Sequence, residues 1–249
     1  MQDTPHMSNP LPSAPEEVSA VRSFCGSMQI VSVEPRQTKK EVTEHLKNCR
    51  LFHFAGHGFT DNTDPSRSLL ALRDWRKDPL TVRTLLDMNL HKYMPFLAYL
   101  SACGTGQIHE QKFVDESLHL ISACQLAGFR HVIGTLWEMD DATCVDVAKH
   151  TYGIMGARGI TDRTVCLGLH HAARELRDRW VAAGKPPLAR KWESGEDDKV
   201  VDNDFNATRK QRGGSPTGIG QRDVQICDED EEGNSQRPAN WVPYVHFGV

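Results

Sequence analysis

Apolar residues in this chain occur in short continuous runs, separated by stretches in which they recur every three or four positions. Continuous runs of this length predict strands, and the helical spacing predicts amphipathic helices. The predicted strands cover residues 28–35, 50–56, 94–103 and 131–137, with a last one expected in 240–248. The predicted helices cover residues 14–26, 38–49, 116–128, 140–155 and 161–184. Residues 68–75 and 80–90 predict a short hairpin followed by a helix.

The order of these elements indicates the fold class. Strands alternate with helices, and residues 94–103 are apolar at almost every position rather than at every second one. A strand of that kind is buried on both faces, which is typical of parallel sheets covered by helices on each side. We therefore predict an α/β sandwich with a mainly parallel central sheet.

One segment interrupts the alternation. Residues 193–237 contain twelve acidic and six basic residues, few apolar residues and the run "GGSPTGIG". Such a composition cannot bury enough apolar surface to fold, so we expect this segment to be disordered. The predicted organisation is an irregular lead-in over residues 1–15, a domain over 16–183, an acidic insertion over 184–237 and a closing strand of the same domain in 238–249.

The composition argues against several classes of function. A formal net charge of −4 over 249 residues does not favour nucleic acid as a partner. No apolar stretch reaches the length of a membrane span, and the N-terminus "MQDTPHMSNPLPSAP" lacks the apolar core of a signal peptide. We therefore expect a cytoplasmic protein, without a membrane partner, whose seven cysteines stay reduced. No two of them form C-x-x-C, so the sequence predicts neither a disulfide framework nor a structural zinc site.

Two predicted strands end in residues that carry chemistry. "LFHFAGHG" ends in His57 and Gly58, and "LAYLSACGTG" places Cys103 where its apolar run stops. Functional groups in open α/β sheets gather beyond the carboxyl ends of the strands, so neighbouring strands would bring His57 and Cys103 to one edge. An imidazole can take the proton from a thiol and leave a nucleophilic thiolate. The pattern predicts a Cys–His dyad, with the backbone N–H groups of Gly58 and Cys103 as an oxyanion hole.

Other interpretations of the same residues stay open at this point. A cysteine at the end of an apolar strand is commonly a packed core residue. His53 and His57, four positions apart, share one face of a strand, but no third ligand stands nearby in the sequence, so we predict no metal site. The other cysteines have no His–Gly segment at a strand end, and we expect core or surface roles for Cys25, Cys49, Cys124, Cys144 and Cys166. Cys227 stands beside "DEDEEG", which should raise its pKa and leave it unreactive.

The residues that would bind a substrate cannot be assigned from the sequence. Four acidic residues, Asp115, Glu116, Asp140 and Asp141, follow the predicted strands at the edge where the dyad is expected. They fit a specificity pocket, and they fit equally well the N-termini of two helices, where negative charge is favourable. Both interpretations stay open.

The motifs resemble a known family. Cys103 lies 46 residues after His57, close to the arrangement of caspases, in which the His precedes an Ala-Cys core by about 50 residues. The segments "LFHFAGHG", "LAYLSACGTG", "AGFRHVIGTLWEMDDATCVDVAKHTY" and "PANWVPYVHFG" occur in the order found in the CHAT domain, a branch of the caspase-like and separase-like cysteine peptidases. "LPSAPEEVSAV" resembles the early helix of that domain. The resemblance covers residues 10–183 and 238–249.

The resemblance implies a caspase-like three-layer α/β/α sandwich and a cysteine endopeptidase that cleaves protein or peptide substrates through Cys103 and His57. It implies that neither a metal nor a cofactor is needed. It also implies a TPR-type or NTPase-type regulatory partner or fused domain. The chain departs from the family pattern in two ways: the family's opening strand would lie just before the region matched by "MQDTPHMSNPLP", and residues 184–237 stand where the family has a short link.

These departures lead us to expect an N-terminally shortened copy of the domain with a long insertion. Two functions follow from the sequence. The first is a regulated cysteine endopeptidase. The alternative is a catalytically inactive caspase-like interaction module, or a gene fragment.

Overall fold

The computed structural model describes residues 2–7, 10–61, 63–103, 120–136, 139–183 and 244–248. These residues belong to one unit formed by residues 1–186 and 238–249, and residues 187–237 make up a second unit that lies outside the described residues. The side chain of Cys103 also lies outside the description, although its backbone is included. The predictions made for residues 104–119 and for the acidic insertion therefore stay predictions.

Apart from the strand predicted over residues 28–35, the described helices and strands follow the predicted order. The helices are α1 (Ala14–Ser27), α2 (Lys39–Leu46), α3 (Val82–Met88), α4 (Leu120–Ala127), α5 (Asp141–Arg158) and α6 (Asp162–Ala182). The strands are β1 (Leu51–Phe59), β2 (Leu69–Leu70), β3 (Leu80–Thr81), β4 (Leu97–Cys103), β5 (His131–Thr135) and β6 (Tyr244–Gly248). Single 3-10 turns lie at Pro65–Arg67 and Leu90–Tyr93. Of the described helices, none is both long enough and apolar enough to cross a lipid bilayer.

The six strands form one mixed sheet in the order β3-β2-β1-β4-β5-β6. The three central strands β1, β4 and β5 are parallel, while β2, β3 and β6 pair antiparallel at the two sides. The predicted α/β fold is confirmed, with the parallel arrangement confined to the centre of the sheet. The predicted hairpin is present as β2 and β3, each only two residues long.

Helices cover both faces of the sheet, because alternate residues of the central strands point to opposite sides. Ala98 and Leu100 of β4 belong to one apolar cluster, which also contains side chains from α2, α3 and α4. Leu97 and Tyr99 of the same strand belong to a second cluster, which contains side chains from α1, α5 and α6. All four β4 residues are fully buried, which explains why the run is apolar at every position.

The strand predicted over residues 28–35 does not form. Gln29 adopts a left-handed conformation with φ 54°, and the N–H of Ile30 donates to the carbonyl of Cys25 at 2.8 Å. The start of this run is therefore used to end α1, and those backbone groups are not available for a ladder. Val31 and Val33 are exposed, at 86% and 56% of their surface, although their residue type favours strands.

Candidate active site

The carboxyl ends of β1 and β4 bring His57 and Cys103 to the same place. The two strands pair in parallel over seven positions, from Leu51 with Leu97 to His57 with Cys103. The last pair consists of the two residues in which the sequence predicted a dyad. The structure thus places the backbones of His57 and Cys103 side by side at the carboxyl-end side of the sheet. His57 is 7% exposed.

The strands that follow β1 and β4 along the sequence lie on opposite sides of this pair in the sheet. After β1 the chain continues to β2 on one side, and after β4 it continues to β5 on the other side. In open α/β sheets such a reversal leaves a crevice beyond the carboxyl ends of the two strands, and ligands bind there. Strand β4 also pairs with β5 only from Leu97 to Tyr99, so the last four residues of β4 keep β1 as their ladder partner.

The backbone of β1 is oriented by its bond to the segment after β2. The N–H of Ala71 donates to the carbonyl of His57 at 2.8 Å, so the carbonyl and the N–H of His57 point towards the β2 side. Because these groups alternate along a strand, those of Gly56 and Gly58 face β4. The N–H of Gly58, one of the two predicted oxyanion donors, therefore faces the strand that ends in Cys103.

A buried polar network lies on the face of the sheet that contains α1 and α5. The hydroxyl of Ser101 donates to Glu17 Oε2 at 3.0 Å, and His53 Nε2 lies 3.1 Å from Glu17 Oε1. On its other side, His53 Nδ1 lies 3.1 Å from the hydroxyl of Tyr152, and its ring stacks on Tyr99 with 4.9 Å between centroids. The network joins α1, α5 and the two strands that end in His57 and Cys103.

Burial keeps the phenols of this region neutral. It raises the pKa of Tyr99, Tyr152 and Tyr244 well above the ordinary value for tyrosine, and the nearby carboxylate of Glu17 acts in the same direction. A neutral phenol keeps its O–H and can donate it. Tyr152 can therefore donate to His53 Nδ1, which leaves the ring hydrogen on Nε2; that nitrogen lies 3.1 Å from Glu17 Oε1 without forming a hydrogen bond.

The contacts of His53 determine whether it could bind a metal ion together with His57. Both ring nitrogens of His53 face protein partners, namely Glu17 and Tyr152. Within the described ranges, no three His, Cys, Asp or Glu side chains are grouped closely enough to bind a metal ion.

Two of the four acidic residues considered for a specificity pocket make contacts at the start of a helix. Asp140 accepts from the backbone N–H of Thr143 at 3.0 Å and caps α5. Asp141 accepts from the backbone N–H of Ser13 at 2.5 Å and ties the residue before α1 to the start of α5. Asp115 and Glu116 lie outside the described residues.

A small cavity lies beside the polar network. Its lining includes Glu17, Ser101, Thr135 and Asp141, and its volume is about 20 Å³. About 10–15 Å³ of accessible volume is enough for one water molecule, so this space fits one and little more. The described residues around Glu17 are therefore closely packed.

A second Cys–His contact lies between α6 and β6, which is an outer strand of the sheet. Cys166 Sγ is exposed and lies 3.4 Å from His246 Nδ1, while His246 Nε2 lies 2.9 Å from His131 Nδ1. His131 is fully buried and lies 2.8 Å from the carboxylate of Asp162, which also pairs with Arg130. This series of contacts could not be predicted from the sequence. Its members come from three elements, and Cys166 is 80 residues from His246.

The proton positions in this series of contacts follow from Asp162. Hydrogen bonds from Arg130 and His131 hold the pKa of Asp162 well below its usual range, so the carboxylate is an acceptor. A neutral His131 donates from Nε2 to that carboxylate and accepts at Nδ1, and His246 then donates from Nε2. The lone pair of His246 Nδ1 therefore faces the thiol of Cys166.

The other described cysteines occupy the core, as expected. Cys25, Cys124 and Cys144 are buried, and Cys49 is half-buried. Burial raises the pKa of Cys124 to about 12 and that of Cys49 to about 11, so both stay protonated thiols at neutral pH. Cys227 lies outside the described residues.

The chain was compared with curated proteins, solved structures and protein-family models. Curated proteins give no match. Among solved structures, the chain is similar to the crystal structure of the Arg-specific cysteine proteinase gingipain R (RGPB), at 12% identity and a TM-score of 0.45, over 64% of this chain and 37% of that one. It is also similar to a complex of the Porphyromonas gingivalis RgpB pro- and mature domains, at 11% identity and a TM-score of 0.45, over 68% of this chain and 39% of that one. The chain thus spans less than half the length of either structure.

The family assignment rests on a match over almost the full sequence. The family model of the CHAT domain matches residues 2–249, which include every strand and helix described above. This chain belongs to the CHAT domain family.

Proposed function

We propose that this chain is a cysteine peptidase that cleaves protein or peptide substrates, with Cys103 as nucleophile and His57 as general base. The observation that carries the proposal is the pairing of these two residues at the last position of the β1–β4 register. Register partners in parallel strands share a face of the sheet, so a buried imidazole at position 57 stands next to the position of the thiol. Membership in the CHAT family supports the same chemistry.

The reaction needs only these two side chains and water. His57 takes the proton of the Cys103 thiol, and the thiolate sulfur attacks the carbonyl carbon of the scissile amide. The tetrahedral intermediate then collapses, the C–N bond breaks, and the leaving amine takes the proton from His57. In the second half, His57 removes a proton from water, the resulting hydroxide attacks the thioester, and the Cys103 sulfur leaves and is reprotonated.

The backbone supplies the donors for the negative oxygen of the intermediate. We assign this role to the N–H groups of Gly58 and Cys103, because Gly58 directly follows the base and its peptide group faces β4. An oxyanion-hole donor commonly contributes about 100-fold to 1,000-fold in rate, and these two N–H groups can act as such donors once the last rung of the β1–β4 ladder opens. The strands that follow β1 and β4 lie on opposite sides of this pair, an arrangement in which substrates commonly bind beyond the carboxyl ends of the two strands.

A peptide library tests the proposal directly. The wild-type chain, Cys103→Ala and His57→Ala are incubated with the library, and new termini are identified by mass spectrometry. We expect cleavage by the wild type and a loss of about 1,000-fold or more in both variants, because the two side chains act as a unit. Equal cleavage by the wild type and Cys103→Ala would contradict the proposal.

A labelling experiment tests the dyad without a substrate. Iodoacetamide alkylates thiolates, and tryptic mapping gives the rate at each cysteine of the full chain. We expect Cys103 to react faster than the buried cysteines and His57→Ala to slow it. A folded wild type that cleaves nothing and labels all its cysteines equally would instead favour the catalytically inactive interaction module. A regulatory partner of TPR or NTPase type remains part of the proposal, since family resemblance alone implies it.

A further inference from the structure

Glu17 is a buried carboxylate that contacts both strands of the proposed dyad. It lies in the first turn of α1 and is 1% exposed. Its Oε2 accepts from Ser101 of β4 at 3.0 Å, and its Oε1 lies 3.1 Å from His53 Nε2 of β1. One side chain from a helix therefore links two neighbouring strands.

The two contacts lie close to the proposed catalytic residues along each strand. Ser101 is two residues before Cys103, and His53 is four residues before His57. At about 3.3 Å per residue, these distances are about 7 Å and 13 Å. Because both separations are even, Ser101 and His53 lie on the same face of the sheet as positions 103 and 57. Glu17 is too far away to touch a reacting atom, but it is attached to the backbones that place those atoms.

Keeping a carboxylate at this position is costly. A buried ionised group loses its hydration, and a pair of apolar residues of similar volume would often be at least as stable. Ser101 reduces this cost, since its hydroxyl donates to Glu17 Oε2. His53 Nε2 lies 3.1 Å from Glu17 Oε1, but the two atoms form no hydrogen bond and have no other partner among the described residues. Tyr152 holds the His53 ring from the other side through its contact with Nδ1.

We propose that Glu17 is a positioning residue that holds β1 and β4 in the register that pairs His57 with Cys103. This inference rests on the proposed function and adds a residue to it. Glu17 acts through the shape and hydrogen bonds of its side chain. The glutamine substitution is therefore predicted to preserve much of the effect, because an amide can accept from Ser101 and donate to the other tautomer of His53.

The experiment measures iodoacetamide alkylation of Cys103 in the full chain, with and without His57. The sulfur displaces iodide from the reagent, and the thiol proton passes to His57. Each of Glu17→Leu, Glu17→Gln and Ser101→Ala is made alone and together with His57→Ala, and the coupling between the two sites is taken from the double-mutant cycle. Glu16→Gln is the matched control, because Glu16 is the adjacent residue of α1 and its carboxylate is 63% exposed beside Lys149.

We expect Glu17→Leu and Ser101→Ala to slow Cys103 by about 10-fold, equivalent to about 1.4 kcal/mol. We also expect both to abolish the slowing caused by His57→Ala, which a change in stability alone would not do. Glu17→Gln should stay within about three-fold of the wild type, and Glu16→Gln should not differ from it. Urea denaturation of each variant gives its folded fraction, to which the rates are normalised.

Several outcomes would overturn the inference, and one of them also overturns the proposed function. Wild-type rates and intact His57 coupling in Ser101→Ala and in a folded Glu17→Leu would overturn the positioning role alone. A Glu17→Gln variant as slow as Glu17→Leu would overturn it in favour of a role for the negative charge. If Glu17→Leu does not fold, Ser101→Ala decides, because it removes one contact and no charge. A wild-type rate that does not depend on His57 would overturn the proposed dyad and this inference together.

Discussion

Thr135 Oγ1 donates a hydrogen bond of 2.9 Å to the carbonyl oxygen of Ala102, across the point where β4 and β5 cease to pair. That carbonyl belongs to the peptide group whose N–H is that of Cys103, and Thr135 and Ala102 are both buried. We predict that Thr135→Val destabilises the chain by about 1–3 kcal/mol, because a buried carbonyl loses this donor. We also predict slower peptide cleavage, since the peptide group loses one anchor. Urea denaturation and the library assay measure the two effects.

Thr135→Ser is the control for this substitution, because it keeps the hydroxyl and removes only a methyl group. It should stay close to the wild type in cleavage and lose less stability than Thr135→Val. A Thr135→Val variant as stable and as active as the wild type would show that the hydrogen bond does not matter.

Cys166 should be a second reactive thiol, independent of the proposed dyad. Its sulfur is exposed and faces the unprotonated nitrogen of His246, whereas the buried Cys124 stays protonated. In a Cys103→Ala background, we predict that Cys166 is alkylated faster than any of Cys25, Cys49, Cys124 and Cys144. His246→Gln should slow Cys166 several-fold, because an amide is not a base. Unchanged labelling in that variant would show that exposure alone sets the rate.

Acid should destabilise the chain in two steps. Burial, followed by the neighbouring His131, lowers the pKa of His246 in the folded state, so its contribution is present above about pH 6.5 and is lost as the pH falls. Hydrogen bonds from Arg130 and His131 lower the pKa of Asp162, so its contribution is lost only as the pH falls below about 4. We predict a decline in the thermal midpoint between about pH 7 and 5 and a second one below about pH 4.

Single substitutions separate these two steps. His246→Gln should remove much of the first decline, and Asp162→Asn should reduce the second. Scanning calorimetry at a series of pH values measures both. A midpoint that rises as the pH falls from 7 to 5, with the rise lost in His246→Gln, would contradict the predicted sign.

Close packing of α5 on α6 depends on Gly168. A Cβ atom added there would lie 2.7 Å from the carbonyl oxygen of Thr151, closer than such atoms approach in real structures. We predict that Gly168→Ala destabilises the chain by about 1–3 kcal/mol, because the two helices must move apart. Gly153→Ala is the matched control, since nothing lies within 4 Å of a Cβ at that position of α5, and it should gain up to about 1 kcal/mol from helix propensity. Chemical denaturation of both variants should show opposite signs.

Hydrophobic patterning was sufficient to locate the strands that carry the site. The continuous apolar run before Cys103 required burial on both faces, and the structure shows Leu97 to Leu100 fully buried between two layers of helices. Helix starts were also readable, because Thr161 forms a capping box with Thr164 at the N-terminus of α6. Both signals are local, and each depends on residues within one or two turns of the chain.

The contacts that support the site were not readable in the same way. Glu17 is 84 residues from Ser101, and nothing in the amphipathic pattern of α1 distinguishes this buried carboxylate from its exposed neighbour Glu16. The failed strand at residues 28–35 has a different cause. Strand propensity at Val31 and Val33 was outweighed by the end of α1, which uses the N–H of Ile30. The partner of Glu17 is distant in sequence, so the pattern of α1 does not name it. The bond that ends α1 is local, from Ile30 to Cys25, but strand propensity takes no account of it.

The register of β1 and β4 continues to Cys103, the final residue of β4, and this has a cost for the proposed chemistry. With His57 paired to Cys103 and the peptide groups of Gly58 facing β4, a regular parallel ladder uses the N–H of Gly58 to bind the carbonyl of Cys103. It likewise uses the N–H of Cys103 to bind the carbonyl of Gly56. The sheet and the substrate therefore compete for the same two hydrogens. A net hydrogen bond contributes only about 0.5–1.5 kcal/mol, so opening this last rung is a small step. Any partner that spreads β1 from β4 by one rung would act as an activator, and any that tightens the pair would act as an inhibitor.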